Sequence, residues 1–556
     1  MASYTFFLAS SLEKVFPNRR PAAMEAGATL SAWPGTRAAV QLVYYGDFHR
    51  EGDFVPEFAL EVTGGPGEAV LRRVELIPSD FPCYDNADGD YITTEPGLFP
   101  DLLQPIPEAR IKPLHGQYRS VWIHWDIPED GAGEYPVTVT ARGLGGGPVF
   151  ENRLTMRVGR CRLPEQKLIH TEWFHADCLA QYYGVAPWSE AHWQIVENFI
   201  RTAARECGVN MLLTPVFTPP LDTRVGGERL TVQLVDVYRN GETYRFGFEK
   251  LERWAGICRK WGISYLEIAH LFTQWGAEAT PKILAVVDGR EQRIFGWDVP
   301  ASSVAYRAFL EAFLPALREA LARMGFDRDH VFYHISDEPG REQLPAYRLA
   351  RAQTADLLAG CRMLDALSSL EFYREGMVDR AAVASDQIGP FLEARVPGLW
   401  VYYCCAQGRE VPNRFFAMES ARNRIMGVLL YLHRVEGFLH WGYNFYNSQY
   451  SVHPIDPYRV THAGYAFPSG DPFLVYPGPE GEALTSIRAE VQAEGLTDLR
   501  GLQMLESLSG RYAAEALVKD LAGESDLSFR DYPRDTGFLL KLRERLWEAL
   551  EEAYRT

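Results

Sequence analysis

Apolar and polar positions alternate in short runs over the first third of the chain, and the rhythm then changes. Up to about residue 160, runs such as "AAVQLVYY", "FALEVTG", "AVLRRVELI", "RSVWIHWDI", "EYPVTVTARG" and "RLTMRVGR" recur between clusters of Gly, Pro, Asp and Asn. That is the pattern of half-buried strands joined by turns. "HWDIPEDGAGEYPVTVTA" reads as strand, turn, strand, and residues 1–160 are predicted to form a β-sandwich. "CRLPEQK" follows as a linker.

From about residue 166 strand-like and helix-like periods alternate. The strand candidates are "LIHTEWF", "VNMLLTPVF", "ISYLEIAHL", "HVFYHIS", "RMLDALSS", "AAVASDQI", "LWVYYCC" and "GFLHWGYNF". Between them lie amphipathic stretches such as "SEAHWQIVENFIRTAARECG" and "FEKLERWAGICRKWG", which end in the glycine that often closes a helix. Eight strands with intervening helices predict an α/β fold, a (β/α)8 TIM barrel over 166–455. No Gly-rich phosphate loop follows an early strand, which disfavours a doubly wound sheet. Residues 456–556 are expected to be a short C-terminal extension, a hairpin and helices packed on the barrel. The opening "MASYTFFLASSLEKVFPNRR" lacks a basic start and reads as a first strand and a polar turn, not a signal peptide.

Composition narrows the class of function. The chain has 556 residues and a net charge of -17, which argues against a nucleic-acid partner, since that affinity comes from Lys and Arg on phosphates. No run approaches the length needed to span a bilayer. Eight cysteines lie in no metal-like or paired spacing, which suits free thiols in a reducing compartment. The expectation is a cytoplasmic protein with no cofactor and no metal, compatible with a homo-oligomer. Aromatic residues make up 13% of the chain; a surplus of Trp and Tyr suits a cleft in which sugar rings stack on flat apolar faces.

The chemistry is concentrated in "HVFYHISDEPG", residues 330–340. The fourth strand ends there in two adjacent acids, Asp337 and Glu338, and catalytic groups of barrels sit at the C-terminal ends of strands. Alternation would put His334, Ser336 and Glu338 on one face and Asp337 on the other. For both acids to share a site the strand must break at Asp337. The competing local reading is that Pro339 starts a helix and the acids favour its positive end. A retaining glycosidase with a separate nucleophile would want a second acid on strand seven, but "GLWVYYCCAQG" has none. Substrate-assisted hydrolysis needs none: the 2-acetamido group of the sugar attacks its own C1, one carboxyl protonates the leaving oxygen, and a neighbouring carboxylate orients the acetamide. Contact between the two acids would raise the pKa of one and keep it protonated.

Further candidates are Trp173 beside His170, Glu172 and His175 on strand one, and Trp275 as a sugar platform after strand three. Asn210 reads as a turn residue and His440 as an interior histidine. Alternatives of other kinds are a retaining glycosidase acting on a non-acetamido sugar and a carbohydrate-binding barrel without turnover.

"HISDEP" resembles the catalytic Asp-Glu motif of glycoside hydrolase family 123 and its relative, domain-of-unknown-function family 4091. "GLWVYYCCAQGREVPNRFF", "GVLLYLHRVEGFLHWGYNFY" and "GDPFLVYPGPEGEALTSIRAEVQAEGLTDLRGL" resemble three further segments of that family. The resemblance implies a retaining β-N-acetylgalactosaminidase whose substrate is an oligosaccharide or glycoconjugate. It implies that Asp337 stabilises the acetamide and that Glu338 is acid and base. Tyr402 would hydrogen-bond the acetamido carbonyl, with Tyr403 the alternative, and Trp441 and Asn444 would line the sugar site. The sequence leaves GalNAc against GlcNAc, and the aglycone, open.

Overall fold

The computed structural model describes residues 3–48, 57–145, 147–378, 380–523 and 525–555. By contacts the chain divides into two units. One comprises Met1–Gln166, Arg409–His433 and Leu484–Thr556; the other comprises Lys167–Gly408 and Arg434–Ala483. This division does not follow the sequential borders expected at 160, 166 and 455, because the C-terminal helices and a short segment from within 166–455 group with the sandwich.

The first unit holds two five-stranded sheets. One runs Ser3–Ser10, Arg37–Asp47, Tyr118–Asp126, Val70–Ser79, Gly97–Pro105; the other runs Thr29–Ala32, Val149–Val158, Gly133–Gly143, Phe58–Gly64, Arg110–Ile111. Alternate residues of Arg37–Asp47, namely Ala38, Val40, Leu42 and Tyr44, enter one apolar core with Phe58, Ile123 and Val139. This is the period-two pattern that the sequence displays. The first strand lies where it was predicted; Met1 and Ala2 of that reading lie outside the described residues. Gly97–Pro105 was not among the predicted runs. Pro100 and Pro105 obscure it, and its place at the end of the sheet order makes them tolerable, because an edge strand needs fewer N–H donors. In the same unit the helix Ile487–Ser509 packs on Met426–Leu432 where Gly427 meets Gly495, so closely that a Cβ on Gly427 would strike the Gly495 carbonyl. No helix among the described residues is long and apolar enough to cross a membrane.

The second unit is the predicted closed barrel of eight parallel strands. They are Ile169–Glu172 (β1), Met211–Thr214 (β2), Tyr265–Ile268 (β3), Val331–Tyr333 (β4), Arg362–Ala366 (β5), Arg380–Ala384 (β6), Trp400–Tyr402 (β7) and Gly437–His440 (β8). Seven of them fall inside a predicted segment, and β6 begins one residue before its segment, at Arg380. Alternation sends Met211, Leu213, Phe332, Leu364, Trp400 and Leu439 into one inner cluster. Trp400 is fully buried, and small residues make room for it: Ala382 and Ala384 on β6, and Gly437 on β8. A four-stranded sheet, Thr243–Gly247, Asp236–Asn240, Ile283–Val287 and Arg290–Phe295 in that order, is inserted around β3 and was not predicted. Its last hairpin turns at Asp288-Gly289, both at positive φ (50° and 77°), a short-range signal that was present in the sequence.

A Cβ at Gly437 would run into the Trp400 ring. Gly437→Ala should therefore lower stability by about 1–3 kcal/mol, read as a lower denaturant midpoint. An unchanged midpoint would show that the ring can move aside.

Candidate active site

The barrel interior fills with side chains up to the C-terminal ends of the strands, and a pocket opens there. It encloses about 740 Å³ of empty space, the open solvent at its mouth included. Asp337 and Glu338 both line it. The regular ladder of β4 ends at Tyr333, but the chain stays attached to its neighbour: Leu271 N donates to His334 O (3.1 Å), Phe272 N to Ile335 O (3.1 Å) and Trp275 N to Asp337 O (3.0 Å). Ile335 N donates to Asp365 Oδ1 at 3.0 Å, and Ser336 Oγ to Thr273 O at 2.8 Å. Glu338 then takes a φ of +41°, the left-handed region that side chains other than glycine rarely adopt. The break demanded by alternation is therefore present, one residue later than expected. No α-helix starts at Pro339; a single 3-10 turn begins at Arg341.

Burial raises the Asp337 carboxyl well above its ordinary range, the Glu338 charge adds to this, and the His334 charge opposes it. Glu338 is also raised, first by burial and then by Asp471, while a hydrogen bond from Tyr402 pulls it down. By surface area Glu338 is exposed, yet protein rings it almost completely. Both describe a side chain standing in an open-mouthed pocket, where water softens the effect of burial. Both carboxyls are thus raised, and each has one group that opposes the rise, His334 for Asp337 and Tyr402 for Glu338. Tyr402 OH donates to Glu338 Oε1 at 2.6 Å, and Ser368 Oγ lies 3.5 Å from the same hydroxyl.

Beneath the pair lies a buried network. His334 sits between two carboxylates: Nε2 is 2.6 Å from Glu267 Oε1 and Nδ1 is 3.1 Å from Asp365 Oδ1. Thr171 and Trp173 Nε1 also donate to Glu267, at 2.7 and 2.8 Å, and Tyr347 OH donates to Asp365 at 2.6 Å. Burial alone would lower the pKa of His334, but the hydrogen bonds and charges of Asp365 and Glu267 outweigh it and raise it to about 9. The ring is an imidazolium at neutral pH. His270 stacks on it at 4.2 Å and is kept neutral by burial and by that charge. His270, His334 and Asp365 are the one group among the described residues close enough to hold a metal ion, although His334 and Asp365 are already bonded to each other.

The sequence-predicted residues separate into two sets. Asp337, Glu338, Tyr402, Trp173, Trp275 and Trp441 line the pocket. His334, Tyr403 and Asn444 are buried elsewhere and do not. Tyr403 follows Tyr402 on β7, so alternation turns it outward onto Phe438 and His440. Asn444 clamps the backbone of His175, accepting from its N at 2.9 Å and donating to its O at 3.1 Å. Trp441 is fixed by its Nε1 donating to Asp471 Oδ2 at 2.9 Å. Sequence reasoning missed Glu267, Asp365, Asp471 and Asp222. The first two stand on strands three and five, where an acid within a barrel strand is itself a signal. Asp222 and Asp471 lie in loops without periodicity.

The model of the glycoside hydrolase 123 catalytic domain matches residues 173–505. Among solved structures, a family 123 glycoside hydrolase from Clostridium perfringens, described in connection with glycolipid glycan hydrolysis, superposes with a TM-score of 0.73 at 13% identity, covering 100% of this chain and 98% of that one. The β-glucuronidase of Parabacteroides merdae matches at a TM-score of 0.30 and 10% identity, over 90% of this chain and 54% of its own. No curated protein sequence matches.

The folded pKa of His334, about 9, lies above its ordinary 6.5, so the imidazolium stabilises the fold fully below about pH 6.5 and loses this as pH rises through 9. The stability gap between the wild type and His334→Gln should shrink by about 3 kcal/mol between pH 6 and 10, measured by urea unfolding at each pH. A gap that stays level would mean that the ring is neutral.

Proposed function

The chain belongs to glycoside hydrolase family 123, and on that premise we propose that it is an exo-acting β-N-acetylgalactosaminidase that works with retention through the substrate's own acetamido group. The observation that carries this reading is the pairing of Asp337 and Glu338 in one pocket, opposite a β7 that presents Tyr402 instead of an acid. Aromatic walls at Trp173 and Trp441 suit a sugar ring.

In this mechanism the Asp337 carboxylate accepts the amide N–H and turns the acetamido oxygen toward C1. That oxygen forms a bond to C1 as the glycosidic bond breaks, and the leaving oxygen takes its proton from Glu338. The oxazolinium carries the positive charge, which Asp337 balances. Water then attacks C1 and gives its proton to Glu338 as the bond from C1 to the acetamido oxygen breaks, which restores the acetamide, and the product keeps the β configuration. Holding the acetamide against C1 exploits proximity, where effective molarities reach about 10⁵–10⁸ M.

Tyr402 links binding to protonation. In the free protein its OH is donated to Glu338 and favours the anion there, while burial and the Glu338 charge raise Asp337. An acetamido carbonyl that takes the Tyr402 donor removes that support from Glu338, and the amide N–H gives matching support to the Asp337 anion. The proton then belongs on Glu338, where the leaving group needs it. The pair titrates as a unit.

Glu338→Gln and Asp337→Asn should each lower kcat/KM on an unactivated β-GalNAc glycoside by about 10²–10⁴ or more. Near-normal rates in either variant would overturn the assignment. Tyr402→Phe should lower the plateau and move the alkaline limb of the kcat/KM profile to higher pH, because that limb reports the acid of the free enzyme and Glu338 would lose the donor that lowers it. A limb that moves down would contradict the role given to Tyr402.

A further inference from the structure

A third acid lines the pocket besides Asp337 and Glu338: Asp222, on the loop that leaves β2. It follows Leu221, whose side chain belongs to the inner cluster of the barrel. Asp222 has a φ of +37°, and the loop that meets it has Tyr450 and Ser451 at +59° and +52°. Three non-glycine residues in left-handed backbone at one contact mean that the surrounding structure enforces the arrangement. The bonds that do so are specific. Tyr450 N donates to Asp222 Oδ2 at 3.0 Å, Ser451 Oγ donates to Asp222 O at 2.8 Å, and Arg224 N donates to Tyr450 O at 3.1 Å.

Only one oxygen of the carboxylate is served in this way. Oδ1 has no hydrogen-bond partner among the described residues. The cation that acts on Asp222, Arg229, is committed elsewhere. It holds Asp177 through two bonds of 2.7 Å and donates to Leu221 O at 3.0 Å. Burial correspondingly pushes the Asp222 carboxyl up to about 6. A half-satisfied carboxylate, fixed in position and facing a pocket with aromatic walls, calls for a neutral ligand that brings hydroxyl donors. Hydrogen bonds to an ionised carboxylate are stronger than neutral ones, and a site built to bond a hydroxyl rejects analogues that lack it far more sharply than an apolar wall can.

We infer that Asp222 binds one or more ring hydroxyls of the terminal sugar, among O3, O4 and O6, and thereby sets which sugar the pocket accepts. The inference rests on the hexosaminidase reading. In it Asp222 contacts the substrate away from the reacting carbon and takes no part in proton transfer or bond formation.

The test pairs Asp222→Asn with aryl β-GalNAc and its 3-, 4- and 6-deoxy derivatives. The wild type should lose about 10-fold or more in kcat/KM on at least one deoxy substrate. Asp222→Asn should lose a similar factor on the parent glycoside and little further on that deoxy substrate, because the contact is already gone. Equal losses for both proteins on every deoxy substrate would overturn the inference. So would a wild type that tolerates all three within about twofold, a result that does not depend on the variant folding. A covalent adduct trapped on Asp222 by a 2-fluorosugar would overturn it in favour of a nucleophile. If the wild type hydrolyses no 2-acetamido glycoside, the hexosaminidase reading fails and this inference fails with it; turnover of the parent glycoside separates the two outcomes.

Discussion

Asp365 accepts the amide of Ile335 and faces the His334 ring, while Trp275 gives its amide to the Asp337 carbonyl. These bonds hold the chain beyond the last ladder residue of β4 and oblige it to turn at Glu338. A continuing strand would send the two carboxyls to opposite faces. The left-handed φ at Glu338 is the local cost of bringing them together, roughly 1–3 kcal/mol for such a residue, and the network beneath offsets it. Glu267, His334, Asp365 and Tyr347 are all buried and bonded to one another, so the floor of the pocket is rigid where the acids need to be fixed.

The same network sets the electrostatics. Desolvation in the pocket favours the protonated form of both acids. The His334 imidazolium below them favours an anion on Asp337 and opposes its burial, and Tyr402 does the same for Glu338 from the opposite wall. The site therefore has a weak opposing influence on each acid. A ligand that engages Asp337 and withdraws Tyr402 can move the balance between them without a large structural change. This division of labour accounts for the placement of His334. Alternation put it on one face with Glu338, yet it is buried and outside the pocket lining, as a charge under the acid pair.

Much of this was legible in the residue pattern. The eight barrel strands follow from alternating helix and strand periods, and the acid pair follows from its place at the end of the fourth. The choice between Tyr402 and Tyr403 follows from alternation once Trp400 is recognised as an inward residue, a step that needs the barrel register. Asn444 stands next to real pocket residues in the sequence, and only its bonds to His175 show that it braces backbone. Asp222 and Asp471 were beyond reach, because loops carry no period and their positions depend on bonds between segments more than two hundred and about thirty residues apart, Asp222 to Tyr450 and Trp441 to Asp471. The inserted sheet around β3 is less legible although its Asp288-Gly289 turn is visible, because a strand such as Arg290–Phe295 is mostly exposed and carries almost no apolar alternation.

The central claim is that the substrate's acetamido oxygen is the nucleophile, with Asp337 and Glu338 serving it. The most direct measurement is kcat/KM for a series of aryl β-GalNAc glycosides whose N-acetyl methyl carries zero, one, two and three fluorines. Fluorine weakens the carbonyl oxygen as a nucleophile while changing its size little. The account expects kcat/KM to fall steeply and regularly across the series, with the β-anomer as the first product. A rate that is level across the series, or an α-anomer formed first, would contradict it.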